Sequence, residues 1–450
     1  MTGLNGSNGR RRPVLTPAQV LGVGFLLIIA VGTALLSLPA ATATGEQASF
    51  STALFTATSA TCVTGLIVVP TSTYWSPLGH WIILALIQIG GLGFMTMSTL
   101  VFLLLGKRIS LRERLIIQEA MGQFSLSGLV RLTRTVLLFT AIMEGIGAII
   151  FTLRFLPLMP AGQAVKFGIF HAVSAFCNAG FDLFGDSFTR FVGDAVVNLN
   201  ALALIIIGGL GFFVMTDLWS HRRWAKLSLH SRVVIKVTGI LIAVGFIAIL
   251  ALEWGNPATM GTLSPGARLW SALFHSVTPR TAGFNTLDTA ALTQPALLLT
   301  MVLMFIGASP GSTGGGVKTT TFATLIIWVW SVVTGKGEVE LARRRLPRDV
   351  LEKALAVVFT GLTLILVALM ALLVTEGASF LDTAFETLSA FGTVGLSTGL
   401  TGRLSVPGRF IVTILMYAGR LGPLTLVAAL AQRRAGTSSI RLPEDRVIVG

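Results

Sequence analysis

The chain alternates long apolar runs with shorter, mixed segments from one end to the other. Apolar runs of about 20 residues match the hydrocarbon thickness of a bilayer and predict transmembrane helices. The sixth of these runs is interrupted by GASPGSTGGGVKTTT (307–321), whose proline and glycines oppose regular helix. We place the eight spans at 18–38, 80–105, 129–153, 195–219, 233–252, 296–333, 354–375 and 406–432.

Four amphipathic segments between the spans, at 50–61, 163–176, 266–277 and 379–390, are too short to cross a bilayer. We interpret them as re-entrant half-helices, which are tolerated where irregular backbone is buried or lines a cavity. A small loop with one glycine follows each: VTGL (63–66), NAGF (178–181), TAGF (281–284) and TVGL (393–396). A second glycine-rich motif comes later in each unit and indicates tight helix packing: GGLGF at 90–94 and 208–212, GASPG at 307–311 and GRLGP at 419–423.

This recurrence along the chain predicts an all-α integral membrane protein of four helix–pore-loop–helix repeats. Eight transmembrane helices and four re-entrant half-helices would surround one pseudo-fourfold pore. The predicted limits are a cytoplasmic tail (1–16), repeats at 17–106, 107–219, 220–335 and 336–432, and a second cytoplasmic tail (433–450). The third repeat contains the broken helix.

Composition and charge agree with a membrane setting. Only 12% of the residues are charged and 53% are hydrophobic, whereas soluble domains carry about 25% charged residues. Basic clusters at 10–12, 107–134, 222–236, 336–353 and 433–446 flank the spans. The positive-inside rule places them, and both termini, on the cytoplasmic side of the inner, or cytoplasmic, membrane. We therefore expect membrane lipid as a partner, no nucleic acid, and no enzyme activity.

The four loops carry the candidate ion site. A ring of backbone carbonyls can replace the hydration shell of potassium, and TVGLS (393–397) is close to the TVGYG signature of potassium channels. Glycine lets the backbone turn its carbonyls inward. The alternative is that the loop glycines serve only tight packing. The predicted ion-binding residues, all through backbone carbonyls, are Val63, Thr64, Gly65, Asn178, Ala179, Gly180, Thr281, Ala282, Gly283, Thr393, Val394 and Gly395.

Charged residues near the loops add three expectations. Acidic residues beyond the second and third loops (Asp182, Asp186, Asp194 and Asp288) should concentrate cations at the outer mouth. Arg280, in the third loop, should lie behind the filter and pair with an acid. Glu144, within a predicted span, is either functional or an interhelical packing group.

The interrupted sixth span carries the candidate gate. GSTGGGVKTT (311–320) nearly matches a phosphate-binding loop, but Val317 separates glycine from lysine and an apolar helix precedes it. We expect no nucleotide there. We predict instead a loop in the pore below the filter that obstructs the pore in the inactive state. The predicted gating residues are Gly311, Gly314, Gly315, Gly316, Lys318 and, as a charge at membrane depth in the last span, Arg420.

Four repeats with one loop glycine each resemble the membrane subunits of the Ktr/Trk/HKT superfamily of potassium transporters, most closely the KtrB type. The resemblance covers essentially the whole chain. It implies a homodimer with one pore per subunit and a cytosolic, RCK-type nucleotide-binding ring (KtrA-like) that gates it, with the nucleotide on that partner. It also implies filter glycines at Gly65, Gly180, Gly283 and Gly395, a gating loop at Gly307–Thr321 and a pore-facing Arg420.

The expected function is therefore potassium uptake through a channel-like pore, with potassium as the transported ion. Gly65 favours potassium, because the resemblance associates a serine at that position with sodium selectivity. The alternative is a sodium-coupled or sodium-permeable secondary transporter, since broken helices and repeats also occur in such proteins. A scaffold protein of the membrane would not require four filter-like loops.

Overall fold

A computed structural model describes residues 17–93, 129–335, 339–341 and 344–422. The predicted tails 1–16 and 433–450, most of the basic segment 107–134, and the far ends of the spans predicted at 80–105 and 406–432 lie outside these ranges. Apart from a two-stranded hairpin of β1 (Glu340–Leu341) and β2 (Arg344–Arg345), every regular element in these ranges is helical.

The helices in chain order are α1 (Pro17–Leu36), α2 (Phe50–Thr61), α3 (Thr71–Tyr74), α4 (Pro77–Leu92), α5 (Leu129–Phe155), α6 (Ala161–Phe176), α7 (Ala195–Leu210), α8 (Phe212–Ser220), α9 (Leu229–Glu253), α10 (Pro265–Val277), α11 (Gln294–Phe305), α12 (Thr319–Val333), α13 (Arg348–Glu376), α14 (Phe380–Gly392) and α15 (Val406–Leu421). Short 3₁₀ turns lie at Pro39–Ala41, Thr189–Phe191, Trp224–Lys226, Thr289–Ala291 and Thr401–Arg403.

Four long helices, α1, α5, α9 and α13, are apolar and long enough to cross a membrane, and the bent pair α7–α8 makes a fifth candidate among the described residues. Only 22% to 39% of the residues in each of the four are buried. Large apolar side chains such as Leu138, Ile240 and Phe359 are 61% to 71% exposed. Since lipid is the solvent for such surfaces, the predicted class of an all-α membrane protein is confirmed.

Four shorter helices, α2, α6, α10 and α14, have 12 to 16 residues. At 1.5 Å per residue they reach about 18–24 Å, which is less than the hydrocarbon thickness of about 30 Å. Serine caps begin three of them, because Ser49, Ser264 and Ser379 each accept a hydrogen bond from a first-turn N–H. Their limits lie within two residues of the predicted half-helices.

The core of the protein surrounds these half-helices. The phenylalanine at the same point of each half-helix is at most 2% exposed, and the four are Phe55, Phe170, Phe274 and Phe385. Their burial explains why the sequence repeats an aromatic residue there: a fully buried aromatic side chain contributes about 150–250 Å² to the core.

The second glycine-rich motif of each repeat packs the helix that follows the loop against the end of the half-helix. A β-carbon on Gly90, Gly208 or Gly419 would lie closer than 3.0 Å to a carbonyl oxygen of the half-helix end. Those carbonyls belong to Thr61, Phe176 and Phe391, each four residues before its loop glycine. In the third repeat, Gly307 packs on Gly315 of its own loop instead. The packing interpretation of these glycines therefore agrees with the structure.

The helices α4, α7 and α15 each end at a glycine with left-handed φ, three residues after the packing glycine. These are Gly93 (φ 83°), Gly211 (φ 97°) and Gly422 (φ 84°). At Gly211 the chain bends by 96° into α8. The span predicted at 195–219 is therefore bent at Gly211 in the structure. The positive φ of Gly211 leaves helical geometry, and the carbonyl of Pro310, from the loop 307–321, lies 2.6 Å from the position that a β-carbon would take there.

Replacing a packing glycine should destabilise the fold. We expect Gly208→Ala to cost about 1–3 kcal/mol, because its β-carbon would meet the backbone carbonyl of Phe176. Gly239→Ala, in α9, is the matched control, since nothing lies within 4 Å of its β-carbon; this change should be neutral or stabilise by about 0.4–1 kcal/mol. Melting temperatures in detergent measure both, and equal shifts would contradict the packing role.

Candidate functional site

Each of the four loops contains two residues with left-handed φ, separated by one residue. The loop glycines Gly65, Gly180, Gly283 and Gly395 have φ of 90°, 68°, 77° and 92°. The residue two positions earlier also has positive φ: Val63 (57°), Asn178 (60°), Thr281 (78°) and Thr393 (50°). A β-branched residue in this region is rare and strained by about 1–3 kcal/mol. The surrounding structure must therefore hold these loops.

The end of each half-helix holds the loop through backbone hydrogen bonds. In every loop the N–H of the residue before the glycine donates to a carbonyl of a hydroxyl-bearing residue, at 2.7–2.9 Å. The accepting residues are Ser59, Ser174, Thr278 and Ser389. The same four residues also use their side chains.

The four hydroxyl groups bind the part of the loop around the glycine. In the first and fourth loops the hydroxyl accepts from the N–H of Gly65 and of Gly395, both at 3.1 Å. In the second and third loops it donates to the carbonyl after the glycine, of Phe181 at 2.8 Å and of Phe284 at 2.5 Å. Each strained loop is thus tied to its own half-helix at two points.

The sequence interpretation missed these hydroxyls, although a signal was present. Each one lies four residues after the repeated phenylalanine, as Ser59 does after Phe55. The spacing from hydroxyl to glycine is six residues in three loops and five in the third. The one-residue difference of the third repeat therefore lies between Thr278 and Gly283, after the end of the half-helix.

The four loop glycines form a closed ring. A β-carbon on each would lie closer than 3.0 Å to a carbonyl oxygen of the neighbouring loop, namely that of the residue directly before the neighbouring loop glycine. The pairs are Gly65 with Ala179, Gly180 with Ala282, Gly283 with Val394, and Gly395 with Thr64. No residue with a β-carbon fits at these positions unless the backbone moves. The ring therefore brings the four predicted filter loops together, with a carbonyl oxygen of one loop against the glycine of the next at each contact.

Carbonyl oxygens without fixed counter-charge suit a partly dehydrated alkali cation. The eight predicted filter residues that are not glycine are fully buried, so protein packs around them and shields their backbone from bulk solvent. The C-terminal ends of all four half-helices lead into the ring, and the partial negative charge of a helix C-terminus favours a cation.

The segment Gly307–Thr321 forms a loop that is closed at its base. Ile306 and Val317 pair as a parallel bridge, and the N–H of Gly307 donates to the carbonyl of Val317 at 2.9 Å. A second bond joins Thr319 N–H to the carbonyl of Ala308 at 3.2 Å. We call this segment the crossing loop. Its closed base brings the end of α11 next to the start of α12.

The crossing loop packs against the filter loops of the third and fourth repeats and against the half-helix end of the second. Gly314 lies against the side chain of Thr281, and Gly315 lies against that of Thr393, with a β-carbon at either position excluded. Thr313 donates its hydroxyl to the carbonyl of Phe176 at 3.3 Å. The left-handed residues of the third and fourth filter loops therefore touch the crossing loop directly.

The crossing loop also satisfies carbonyls at the end of α7. The N–H of Ser309 donates to Gly209 at 3.1 Å, and that of Thr313 donates to Gly208 at 3.3 Å. In return, the N–H of Phe212 donates to the carbonyl of Gly311 at 2.9 Å. The last turn of a helix leaves its carbonyls without internal partners, so the break at Gly211 and the crossing loop fit each other.

Arg420 ties the crossing loop to the first repeat. Its guanidinium donates to the carbonyls of Thr313 and Gly90, and to Gly91 at 3.3 Å. Among the described residues no carboxylate pairs with it. Lys318 acts within the loop, because its Nζ donates to the carbonyl of Gly314 at 2.7 Å. Arg420 and Lys318 therefore bind adjacent carbonyls of the crossing loop, those of Thr313 and Gly314.

The predicted acidic mouth is largely engaged in local structure. Asp186 pairs with Arg190 at 2.7 Å, and Asp194 pairs with Arg154 at 2.6 Å. Asp182 accepts hydrogen bonds from two backbone N–H groups of its own turn, and Asp288 caps the 3₁₀ turn that follows it. Neutralised or locally bonded acids concentrate cations less than free ones would.

Two further expectations differ in outcome. Arg280 is buried, but no acid within the described ranges pairs with it; its guanidinium donates to the hydroxyl of Thr238 at 3.4 Å. Arg280 lies just beyond the C-terminus of α10, and the partial negative charge of a helix C-terminus stabilises a cation without an acidic partner.

Glu144 accepts a hydrogen bond from Gln88 at 3.1 Å and so joins α5 to α4.

The helical membrane fold and the glycine ring define a membrane protein of the cation-transport class. The family model described as "TrkH: Cation transport protein" matches residues 22–437, and the chain belongs to this family. The Ktr system potassium uptake protein B of Bacillus subtilis is 43% identical over 97% of both chains. The potassium/sodium uptake protein NtpJ of Enterococcus hirae is 41% identical over 98% of this chain and 99% of its own. The resemblance to KtrB-type subunits is confirmed.

A solved structure agrees on the fold. The crystal structure of the potassium transporter TrkH from Vibrio parahaemolyticus superposes with a TM-score of 0.72, covering 91% of this chain and 85% of that one. The sequence identity is 20%, so this likeness concerns the fold alone.

Removing a ring glycine should alter discrimination among alkali cations. In Gly395→Ala the new β-carbon would meet the carbonyl of Thr64, and we expect the selectivity ratio to change by roughly tenfold, equivalent to about 1.4 kcal/mol. Gly399→Ala is the matched control: φ is 95° there and 92° at Gly395, but nothing lies within 4 Å. Cation flux into liposomes measures both. Equal selectivity in the two variants would contradict the ring.

Proposed function

We propose that the protein takes up potassium ions across the cytoplasmic membrane through a channel-like pore whose filter is the glycine ring. The observation that carries the proposal is the closed order of contacts from the first loop glycine through the fourth and back to the first. One continuous ring of carbonyl oxygens offers a single narrow path rather than four separate pockets. Carbonyl rings of this kind replace potassium hydration.

The proposed architecture has eight transmembrane helices in four repeats around that pore. The recurrence of long helix, half-helix, glycine loop and second helix supports it, as do four half-helices that end at the ring. The basic clusters support cytoplasmic termini through the positive-inside rule. The protein would then reside in the inner or cytoplasmic membrane as a multi-pass protein.

The crossing loop is proposed to gate the pore. It touches the left-handed residues Thr281 and Thr393 of the filter, and Arg420 binds it to the end of α4. Movement of the loop must therefore break bonds to several repeats at once. Such concerted contacts give two discrete arrangements rather than continuous deformation.

The partners are proposed from the resemblance. A homodimer would carry one pore in each subunit, and a cytosolic RCK-type ring would bind the nucleotide and move the crossing loop. The basic segments 222–236 and 336–353 offer cationic surface on the cytoplasmic side. Interaction with anionic lipid accounts for part of that charge.

A sodium-coupled or sodium-permeable transporter is the second candidate. The relative from Enterococcus hirae that is 41% identical is a potassium/sodium uptake protein, which favours this candidate. Gly65 in the first loop favours potassium. The two candidates differ in whether potassium flux requires sodium.

Purified protein in liposomes should carry potassium flux in a buffer free of sodium. We expect saturable potassium uptake that exceeds sodium uptake under matched gradients, and stimulation when a cytosolic ring subunit with nucleotide is added. Radioactive rubidium or potassium-sensitive dye reports the flux, and protein-free liposomes are the control. Strict dependence on a sodium gradient would support the second candidate, and no cation flux with or without the ring would contradict both.

Loss of the Arg420 side chain should open the pathway. Arg420→Ala removes the bonds to Thr313 and Gly90, so we expect basal flux without the ring subunit to rise several-fold; a hydrogen bond to a charged group contributes about 1.5–3 kcal/mol. Arg409→Ala is the control on the same helix, since Arg409 bonds Thr52 and Leu404. Unchanged basal flux in a folded Arg420→Ala protein would rule out this role.

A further inference from the structure

A groove with largely apolar walls lies between α5 and α8. Its volume is about 460 Å³, within the range of about 300–1,000 Å³ that is typical of ligand pockets. The lining residues include Leu138, Ile142, Ile146, Phe212, Met215 and Trp219. Leu138 is 62% exposed and Ile142 is 50% exposed. Within the part of the chain that the structure describes, the groove is therefore open on one side, and a fatty acyl chain matches its walls in chemistry.

Basic side chains flank the groove on both walls. Arg134 lies one helical turn before Leu138, on the same side of α5. Arg222 and Arg223 follow the lining residue Ser220 by two and three residues. All three arginines are exposed, and none forms an ion pair with an acid of the described ranges. They belong to the basic segments that the positive-inside rule places on the cytoplasmic side.

Helix α8 has the features of a helix that lies along the membrane surface. It leaves α7 at an angle of 96°. Its last turn carries Trp219, which is 79% exposed, and tryptophan is enriched where a membrane meets water. The acid of this helix, Asp217, accepts hydrogen bonds from the N–H of Ser228 and the hydroxyl of Ser231. Its carboxylate is thus bound at the start of α9, and the arginines that follow α8 keep their positive charge at the membrane surface.

A second groove offers a comparison. It lies between α1 and α4, also measures about 460 Å³, and is lined by residues that include Leu27, Val31 and Trp81. No lysine or arginine occurs in the lining stretches 24–35 and 81–89, or within four residues of either. Lipid chains can solvate both grooves. Of these two grooves, the one between α5 and α8 combines apolar walls with flanking cations.

We propose that the groove between α5 and α8 binds an anionic phospholipid of the cytoplasmic leaflet, with an acyl chain on the apolar wall and the headgroup phosphate on the three arginines. Guanidinium groups bind phosphate oxygens through paired, charge-assisted hydrogen bonds. A soluble phosphate compound would leave the apolar wall without a partner, so the lipid accounts for both parts of the site. The inference concerns a ligand other than the transported ion, and its test does not depend on ion flux.

The site adjoins the crossing loop. Phe212 lines the groove, and its N–H donates to the carbonyl of Gly311 at 2.9 Å. A lipid bound in the groove would therefore lie against a residue that holds the crossing loop.

A photo-cross-linking residue shows what occupies the groove. Ile142→p-benzoylphenylalanine places the reactive group in it, and Leu27→p-benzoylphenylalanine, at a position that is 61% exposed, is the matched control in the other groove. Each full-length protein is illuminated in vesicles of phosphatidylcholine and phosphatidylglycerol, and mass spectrometry identifies the adducts. We expect phosphatidylglycerol to be enriched about tenfold over its membrane proportion at position 142, and to match that proportion at position 27.

Charge variants test the headgroup contact. Arg222→Gln combined with Arg223→Gln should bring the enrichment at position 142 to within about twofold of the membrane proportion. Arg344→Gln combined with Arg348→Gln removes the same charge from exposed positions around the start of α13 and should leave the enrichment unchanged. If the groove variant does not fold, Arg134→Gln serves in its place.

Three results would overturn the inference. The first is an equal proportion of phosphatidylglycerol at positions 142 and 27. The second is an enrichment that survives the loss of the groove arginines, or that falls equally in the control variant. The third is a cross-link from position 142 to segment 94–128 or to a second copy of the chain in place of lipid adducts, because it would identify another occupant.

Discussion

Backbone that leaves helical geometry inside a bilayer must find its hydrogen-bond partners within the protein. In this chain that constraint is met by one hydroxyl-bearing residue at the end of each half-helix, such as Ser59, which binds its filter loop through both carbonyl and side chain. The bonds hold residues such as Val63 and Thr393 in left-handed backbone that they would not otherwise adopt. The glycine ring and everything that touches it depend on these ties.

The same constraint connects the filter to the crossing loop. Helix α7 ends at Gly211, which frees carbonyls at Gly208 and Gly209, and the crossing loop supplies their donors. Arg420 does the same for Gly90 at the end of α4. Carbonyls at helix ends therefore act as the attachment points of the proposed gate.

Four ionisable side chains lie in the interior, next to the filter loops or the crossing loop. Arg420 and Lys318 are held by carbonyls, Arg280 lies beyond a helix C-terminus, and Glu386 is held by hydroxyls and an N–H. None of these four forms an ion pair within the described ranges. Polar groups of the backbone and hydroxyls, and not counter-ions, are therefore the recorded hydrogen-bond partners of these side chains within the described ranges.

The sequence by itself determined the membrane class, the half-helices to within two residues and the four loop glycines, because apolar length and the repeated Phe-to-Gly spacing are properties of local sequence. It did not reveal the hydroxyl bonds of Ser59 and Ser389, the 96° bend at Gly211 or the absence, among the described residues, of an acid that pairs with Arg280. Those features depend on which backbone groups of distant segments meet. Only the tertiary structure decides that, since a serine or a glycine looks the same in a sequence whether its partner is its own helix or a loop a hundred residues away.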